Sequence, residues 1–402
     1  MNPLAMSAAI ASPTHTQRAL YTRLSLFYFI YFSAIGVFVP YWTVYLQDEK
    51  GFSAAQIGEL MAVFMLTKMI APFLWGWISD RSNSRIGMIR WACFITIVCF
   101  ALCYVSSGYW SMLLVIMAYS FFWNAALPQF EVLTLNHLES RASRYSQIRL
   151  WGSIGFIVMV VLLPFVIDTG GVARVLDVML GLFIVLWLVT WWVPDKPQYS
   201  QESTHERLLD LVKQPTVWVL LLACTLQQAS HGAYYTFFSI YLDDHGYSRL
   251  FTGWMWALGV IAEVLIFIVM YRMIQCYGAA RLFIWAVWIT AIRWFLLGAW
   301  VDSLPILVLS QLMHAATYGL FHASAIHLIH HYFPGHLQGR GQALYAGLSF
   351  GLGGALGGLL SGYAWDGLGN AVTFYICGGM AAIAGALSWY FVKEKSQRVS
   401  AQ

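Results

Sequence analysis

Long apolar runs, each bounded by charge, glycine or proline, recur along the chain. They fall at about 24–46, 59–79, 88–106, 110–137, 149–168 and 175–193, then at about 215–242, 250–271, 281–301, 304–332, 341–365 and 371–392. Each is long enough for a helix to cross a hydrocarbon layer of roughly 30 Å. The pattern predicts an all-α membrane protein of twelve transmembrane helices in two pseudo-symmetric six-helix bundles. The polar stretch from Pro194 to Gln214 divides the chain into a tail (1–23), a first bundle (24–193), a linker (194–214), a second bundle (215–392) and a closing tail (393–402).

The loops orient these spans. Arg18, Arg23, Arg81, Arg85, Arg90, Arg141, Arg144, Arg149, Lys196, Arg207, Lys213, Arg272, Arg281, Arg340, Lys393, Lys395 and Arg398 fall on one side, against Lys50, Arg174 and Arg249 on the other. Cationic loops stay in the cytoplasm, so both termini and the linker are expected there. The predicted location is a plasma membrane of the bacterial inner-membrane kind, with the chain as a multi-pass monomer.

Composition agrees: 60% of residues are apolar and 10% charged, beyond the roughly 45–50% apolar usage of soluble domains. A net charge of +4, with no basic stretch interleaved with aromatics, excludes a nucleic-acid partner. Five of the six cysteines lie inside apolar runs and Cys276 is expected in a short loop, so no disulfide framework is implied. The first residues lack the basic and apolar regions of a cleaved signal, which leaves the first helix as the targeting element. No phosphate-binding loop is present, so direct ATP use is not expected. His327, His330 and His331 invite a metal reading, but their place at a helix end suits imidazoles without an ion. No metal or cofactor is predicted.

The two halves resemble each other. YLQDEKGFSAAQIG, ending at Gly58, is similar to YLDDHGYSRLFTG, ending at Gly253. Ten residues on from each glycine stand Lys68 and Glu263, each near the middle of an apolar span. Ser120, Asn124, Ala125 and Ala126 pair with Ser310, His314, Ala315 and Ala316, and Gln147 and Gly152 with Gln342 and Gly347. Two halves on one plan commonly enclose a site near the bilayer midplane, which points to transport.

A charge at mid-membrane costs about 2.5–3.5 kcal/mol even on the mild insertion scale, so it faces a cavity or a partner. Lys68, Glu131, Glu263 and Arg293 are such charges; the plain alternative is that they are structural ion pairs, Glu131 with Arg149 above all. Asn124, Pro128 and Glu131 share one helix face. Gln311, His314, Tyr318 and His322 form a polar stripe on span ten, and Gln227, His231, Tyr234 and Phe238 another on span seven. Two histidines on one stripe, with a carboxylate and an arginine on adjacent spans, suggest proton handling. Glu263 and Arg293 are expected to form a switch: ionised Glu263 holds Arg293, and protonated Glu263 frees it for a substrate anion. Lys68 is expected to contact a substrate carboxylate. Trp42, Trp123, Trp256 and Tyr235 are candidates to line the cavity. Glycines spaced by four in span eleven (Gly347, Gly351, Gly354, Gly358, Gly362) predict close helix contacts.

After span two stands GWISDRSNSR, which resembles the loop signature of the major facilitator superfamily. The resemblance implies a conformational role for Gly76, Asp80, Arg81 and Arg85; Tyr271, Gln275 and Cys276 depart from the signature in the second half. RLWGSIGF, SHGAYYTFFSIYL, GYS, WALGVIAEV, RW at Arg293 and QLMHAATYGLFH resemble the phenylpropionate permease family, in the lactose-permease-like branch. This implies proton symport of a small aromatic carboxylate, with cavity roles for His231, Glu263, Arg293, His314 and His322. The spacing of Glu131 and Arg149 also resembles that of a sugar-binding Glu and Arg pair, which keeps a sugar open as substrate.

The expected function is thus secondary active transport, proton-coupled uptake of a small organic acid. Alternatives are a sugar or nucleoside symporter and a proton-driven exporter. An intramembrane enzyme using the histidines is disfavoured by the repeat and the loop signature. Proton coupling is assigned to Glu263, Arg293, His314 and His322, and substrate binding to Lys68, Glu131, Arg149, Asn124, His231, Tyr235 and Trp256.

Overall fold

A computed structural model describes residues 15–82, 84–196 and 211–392. Among the described residues there is no strand, as expected where hydrocarbon demands that backbone groups be satisfied within each segment. The first six helices are α1 (His15–Asp48), α2 (Ala54–Arg81), α3 (Arg85–Ala101), α4 (Tyr109–Leu138), α5 (Tyr145–Gly170) and α6 (Arg174–Trp192). Helix α1 begins at His15, before the expected 24, so helix extends into the segment read as a tail.

The second six are α7 in two pieces (Pro215–Ser230 and Gly232–Asp244), α8 (Arg249–Tyr277), α9 (Ala279–Ala299), α10 (Leu304–Tyr332), α11 (Gln338–Leu368) and α12 (Asn370–Phe391). Eleven of the described helices are long and apolar enough to cross a membrane. The exception is α7, whose pieces of 16 and 13 residues meet at His231 instead of forming one uninterrupted span. Both α10 and α11 loosen into π-helical turns, at Ala315–Leu320 and Gly347–Gly353. Cys276 lies in the last turn of α8, not in a loop. Gly278 and Gly369 are each the single residue between two helices, at φ +77° and +88°, a conformation that costs glycine nothing extra.

By internal contacts the chain separates into one unit of Met1–Phe52 and Ile70–Gln201, and another of Ser53–Met69 and Glu202–Gln402. The division falls inside α2. In the first unit α1 packs on α5, where a Cβ at Gly155 would meet the Phe29 carbonyl oxygen at 2.2 Å and one at Gly36 the Phe156 oxygen at 2.8 Å. Trp42 and Trp123 are both buried, among the rings of Phe38, Phe100, Tyr119 and Phe183.

In the second unit α11 is the close-packed element. A Cβ at Gly357 would stand 2.4 Å from the Ala229 oxygen, one at Gly232 2.2 Å from the Gly357 carbonyl, and one at Gly58 2.5 Å from the Gly358 oxygen. Gly351, Gly358 and Gly362 face the Ala54–Met69 half of α2, as their spacing suggested; Gly353 and Gly357 face α7. This packing holds the broken span against its neighbours.

Candidate functional site

Arg293 projects from α9 into the second unit and is fully buried. Its Nη1 donates to Thr317 Oγ1 at 2.9 Å and to His314 Nδ1 at 3.0 Å, and Nη2 reaches Gln311 Oε1 at 3.5 Å. The guanidinium lies 4.4 Å from the Tyr234 ring and 4.6 Å from the Trp294 ring. Hydrogen bonds from a charged donor contribute about 1.5–3 kcal/mol each, and ring faces add a further attraction. Together these offset the cost of an arginine in apolar surroundings. Its Nε has no hydrogen-bond partner among the described residues.

His314 joins this cation to a carboxylate. An arginine offers donors only and keeps its charge, so Nδ1 of His314 must be the acceptor, and the proton of the neutral ring sits on Nε2. That nitrogen is 3.8 Å from Glu263 Oε2, an ion-pair distance longer than a hydrogen bond. The ring cannot become imidazolium while Nδ1 accepts from Arg293. Glycines make room for the approach: a Cβ at Gly259 would touch the His314 ring at 3.5 Å, and one at Gly319 would meet Glu263 Cγ at 3.3 Å.

His231 occupies the break in α7. Its Nδ1 donates to the Gln227 carbonyl at 2.8 Å, which leaves Nε2 as an acceptor, buried and without a partner among the described residues. The ring meets Trp294 edge-on at 4.9 Å and stacks on Tyr235 at 5.8 Å. Tyr234 donates to Gln311 Oε1 at 2.9 Å and packs 4.6 Å from Trp256, whose Nε1 donates to Ser239 Oγ at 3.0 Å. The side-chain amide of Gln227 ties α7 to α9 and α10 through Thr290 Oγ1 at 2.6 Å and the Thr317 carbonyl at 3.1 Å.

The stripe on α10 continues as a stack. His314 lies on Tyr318 with centroids 5.5 Å apart, and Tyr318 on His322 at 6.1 Å. His322 Nδ1 is 3.0 Å from the Tyr345 hydroxyl, and its ring is 5.8 Å from Phe350. Lys68 places its ammonium over the same Phe350 ring, 5.8 Å from its centroid. Lys68, His231, Tyr235, Trp256, Glu263, Arg293, His314 and His322 all belong to the second unit, and Arg293, His314, Glu263 and His231 share one connected cluster.

Glu131, Arg149 and Asn124 lie in the first unit. Glu131 Oε1 accepts from the Tyr145 hydroxyl at 3.2 Å, and the Arg149 guanidinium stacks 3.8 Å from the Phe32 centroid. Asn124 is buried on α4. In the α2–α3 loop, Arg85 is buried and donates to Gln129 Oε1, while Arg81 is exposed, folded 4.1 Å over the Trp77 ring and bonded to the Trp77 carbonyl. The Asp80 side chain lies outside the described residues. Gly76 is not a point of close approach, since a Cβ there would meet only Gln129 Nε2 at 3.7 Å. Asp195, at the end of α6, accepts from the Ile86 amide at 3.3 Å, a loop contact that the motif does not contain.

Gln311, Thr317, Tyr234 and Trp294 hold Arg293 and were not among the predicted site residues. Gln311 and Tyr234 stand on the polar stripes. Thr317 is three residues from His314 on the same face, a weaker signal because threonine is common in spans. Trp294 is marked only by the RW string at Arg293.

The MFS_1 like family matches residues 21–376. The chain is 29% identical over 365 residues to the Probable 3-phenylpropionic acid transporter of Escherichia coli (strain K12), covering 87% of this chain and 92% of that protein. It is 26% identical over 344 residues to the Maltose permease of Geobacillus stearothermophilus, covering 85% and 87%. A mutant form of the nucleoside transporter NupG has the same fold, with a TM-score of 0.85 at 17% identity over 93% of this chain and all of that one.

Proposed function

The chain belongs to the MFS_1 like family, a multi-pass membrane transporter and not an enzyme, and from that membership we propose that it couples proton movement to uptake of a small aromatic carboxylate of the phenylpropionate kind. The observation that carries the reading is the buried Arg293, with its Nε–H unpartnered among the described residues and its guanidinium between the Tyr234 and Trp294 rings. An unmatched cationic donor suits a carboxylate, and the rings suit an arene. The name of the E. coli relative, a 3-phenylpropionic acid transporter, points the same way.

In this mechanism Glu263 takes the proton. While ionised, it attracts the Nε2–H of His314 and, through that neutral imidazole, steadies Arg293. Once protonated, it no longer does so, and His314 and Arg293 gain freedom to turn toward the substrate anion. Lys68 supplies a second cation over the Phe350 ring, and Tyr235 and Trp256 a stacking surface. The membrane is taken as the bacterial inner membrane with both termini cytoplasmic.

Purified full-length protein in proteoliposomes, with an inward proton gradient, tests the proposal. Labelled 3-phenylpropionate should accumulate above equilibrium and collapse when a protonophore is added. No accumulation under either gradient direction would overturn it. Maltose and uridine belong in the same assay, because Glu131 with its Tyr145 hydroxyl and Arg149 on the Phe32 face offer a carboxylate, a cation and a ring platform that also suit a polyol.

A further inference from the structure

We propose that a groove between the starts of α1 and α5 binds an anionic glycerophospholipid from the leaflet that the loop charges assign to the cytoplasm. The groove measures about 440 Å³ and is bordered by Tyr21, Ser25 and Phe29 on α1 and by Arg144, Gln147 and Trp151 on α5. Its chemistry changes along its length. The polar groups, Thr22 and Ser25 on one wall and Arg144 and Gln147 on the other, stand at the helix starts, and Leu26, Phe29, Ile148 and Trp151 follow inward. From Tyr21 to Phe29 the helix rises about 12 Å, the depth over which a lipid passes from headgroup to acyl chain.

Charge complementarity selects an anionic headgroup. Arg144 Nη1 donates to Gln147 Oε1 at 3.0 Å, one of five donors, and among the described residues no carboxylate lines the groove. Arg141 is bonded to Gln17 Oε1, and Arg18, one turn before Thr22, is exposed, so two more cations stand near the mouth. Arginines beside a tryptophan at a helix end match the headgroup level of a bilayer. The groove is separate from the substrate candidates on α5, because Gln147 and Trp151 lie about 200° around the helix from Arg149, whose guanidinium rests on Phe32. A free phosphate would use the Arg144 end and leave the apolar wall idle.

Native mass spectrometry of the full-length protein in detergent tests this with phosphatidylglycerol, phosphatidylethanolamine and phosphatidylcholine of identical acyl chains. Phosphatidylglycerol adducts should be favoured by about fivefold over phosphatidylcholine. Arg144→Gln should bring that ratio near unity, Trp151→Ala should weaken all three lipids alike, and Ser25→Trp, which fills the groove without touching charge, should remove the preference. Arg174→Gln, at the other end of the spans, should leave it intact. A preference that survives both Arg144→Gln and Ser25→Trp would overturn the proposal. So would equal loss in Arg174→Gln, which marks bulk charge, or displacement by millimolar inorganic phosphate with Ser25→Trp silent, which marks a free anion. Should Arg144→Gln fail to fold, Gln147→Glu, which sets a carboxylate beside the headgroup, must reduce the same ratio.

Discussion

In the first half of the chain four helices carry an internal proline, Pro40, Pro72, Pro128 and Pro164, and all four stay continuous. In the second half the described helices hold proline only in their first turns, at Pro215 and Pro305, yet α7 breaks at His231 and α10 and α11 loosen into π-helical turns. Proline is the usual cause of a kink, and here it does not track the irregular backbone. Buried polar chemistry does. The break carries His231, the α10 turn carries Thr317 and Tyr318, and the α11 turn carries Phe350 beside His322. Irregular backbone at membrane depth is tolerated where protein or a cavity surrounds it, and π-helical turns often mark functional sites. In the proposed mechanism the moving site sits with the irregular backbone of the second half.

The largest expected effect falls on the cation at the centre of the irregular half. Arg293→Gln should lower uptake by about 100-fold or more, because it removes both the charge for the anion and the donors that hold His314 and Thr317. Arg293→Lys should not restore it, since a point charge cannot reproduce the planar fork. Uptake normalised to protein in the membrane checks both, and near-normal transport in the lysine variant would break the assignment.

Next come the glycine contacts that hold the broken helix in place. Gly357→Val drives a side chain into the Ala229 carbonyl and should cost about 1–3 kcal/mol or more, read as a fall in melting temperature. Gly181→Val on α6 meets nothing within 4 Å and should change little. Equal losses would remove the distinction between the close contact at Gly357 and the open site at Gly181.

Much of this was legible in the sequence, and for identifiable reasons. Twelve apolar runs are a direct consequence of hydrocarbon thickness, and a charge amid such a run is conspicuous, so Glu263, Arg293 and His314 stood out before any coordinates. The break at His231 was hidden although Gln227, Gln228, Ser230 and Gly232 surround it, because polar residues along one face fit an unbroken helix beside a cavity as well. Apolar periodicity reports which side faces lipid, not whether the hydrogen-bond ladder continues. The surroundings of Trp42 and Trp123 were hidden for a related reason: bulk and aromaticity suit a packed ring cluster, such as the one they join, as well as a binding wall. Thr317 and Trp294 gain meaning only from the arginine they touch.

A moderate effect is expected at Lys68, whose ammonium lies over Phe350 next to the α10 stack. Lys68→Met should raise the half-saturating concentration for anionic substrate by about tenfold while leaving the amount of protein in the membrane unchanged. Unchanged anion uptake would remove it from the site. The smallest effect is expected in the regular half: Pro128→Ala in α4 should shift the melting temperature by only a few degrees at most, corresponding to about 1 kcal/mol or less, with transport retained. A loss of transport there comparable to Arg293→Gln would reverse the comparison.

The account turns on Glu263 as the group that links proton to anion, and Glu263→Gln isolates it. In proteoliposomes this variant should still exchange internal for external labelled 3-phenylpropionate without a gradient, and should no longer accumulate it when a proton gradient is imposed. Gradient-driven accumulation at the wild-type level in Glu263→Gln would contradict the account.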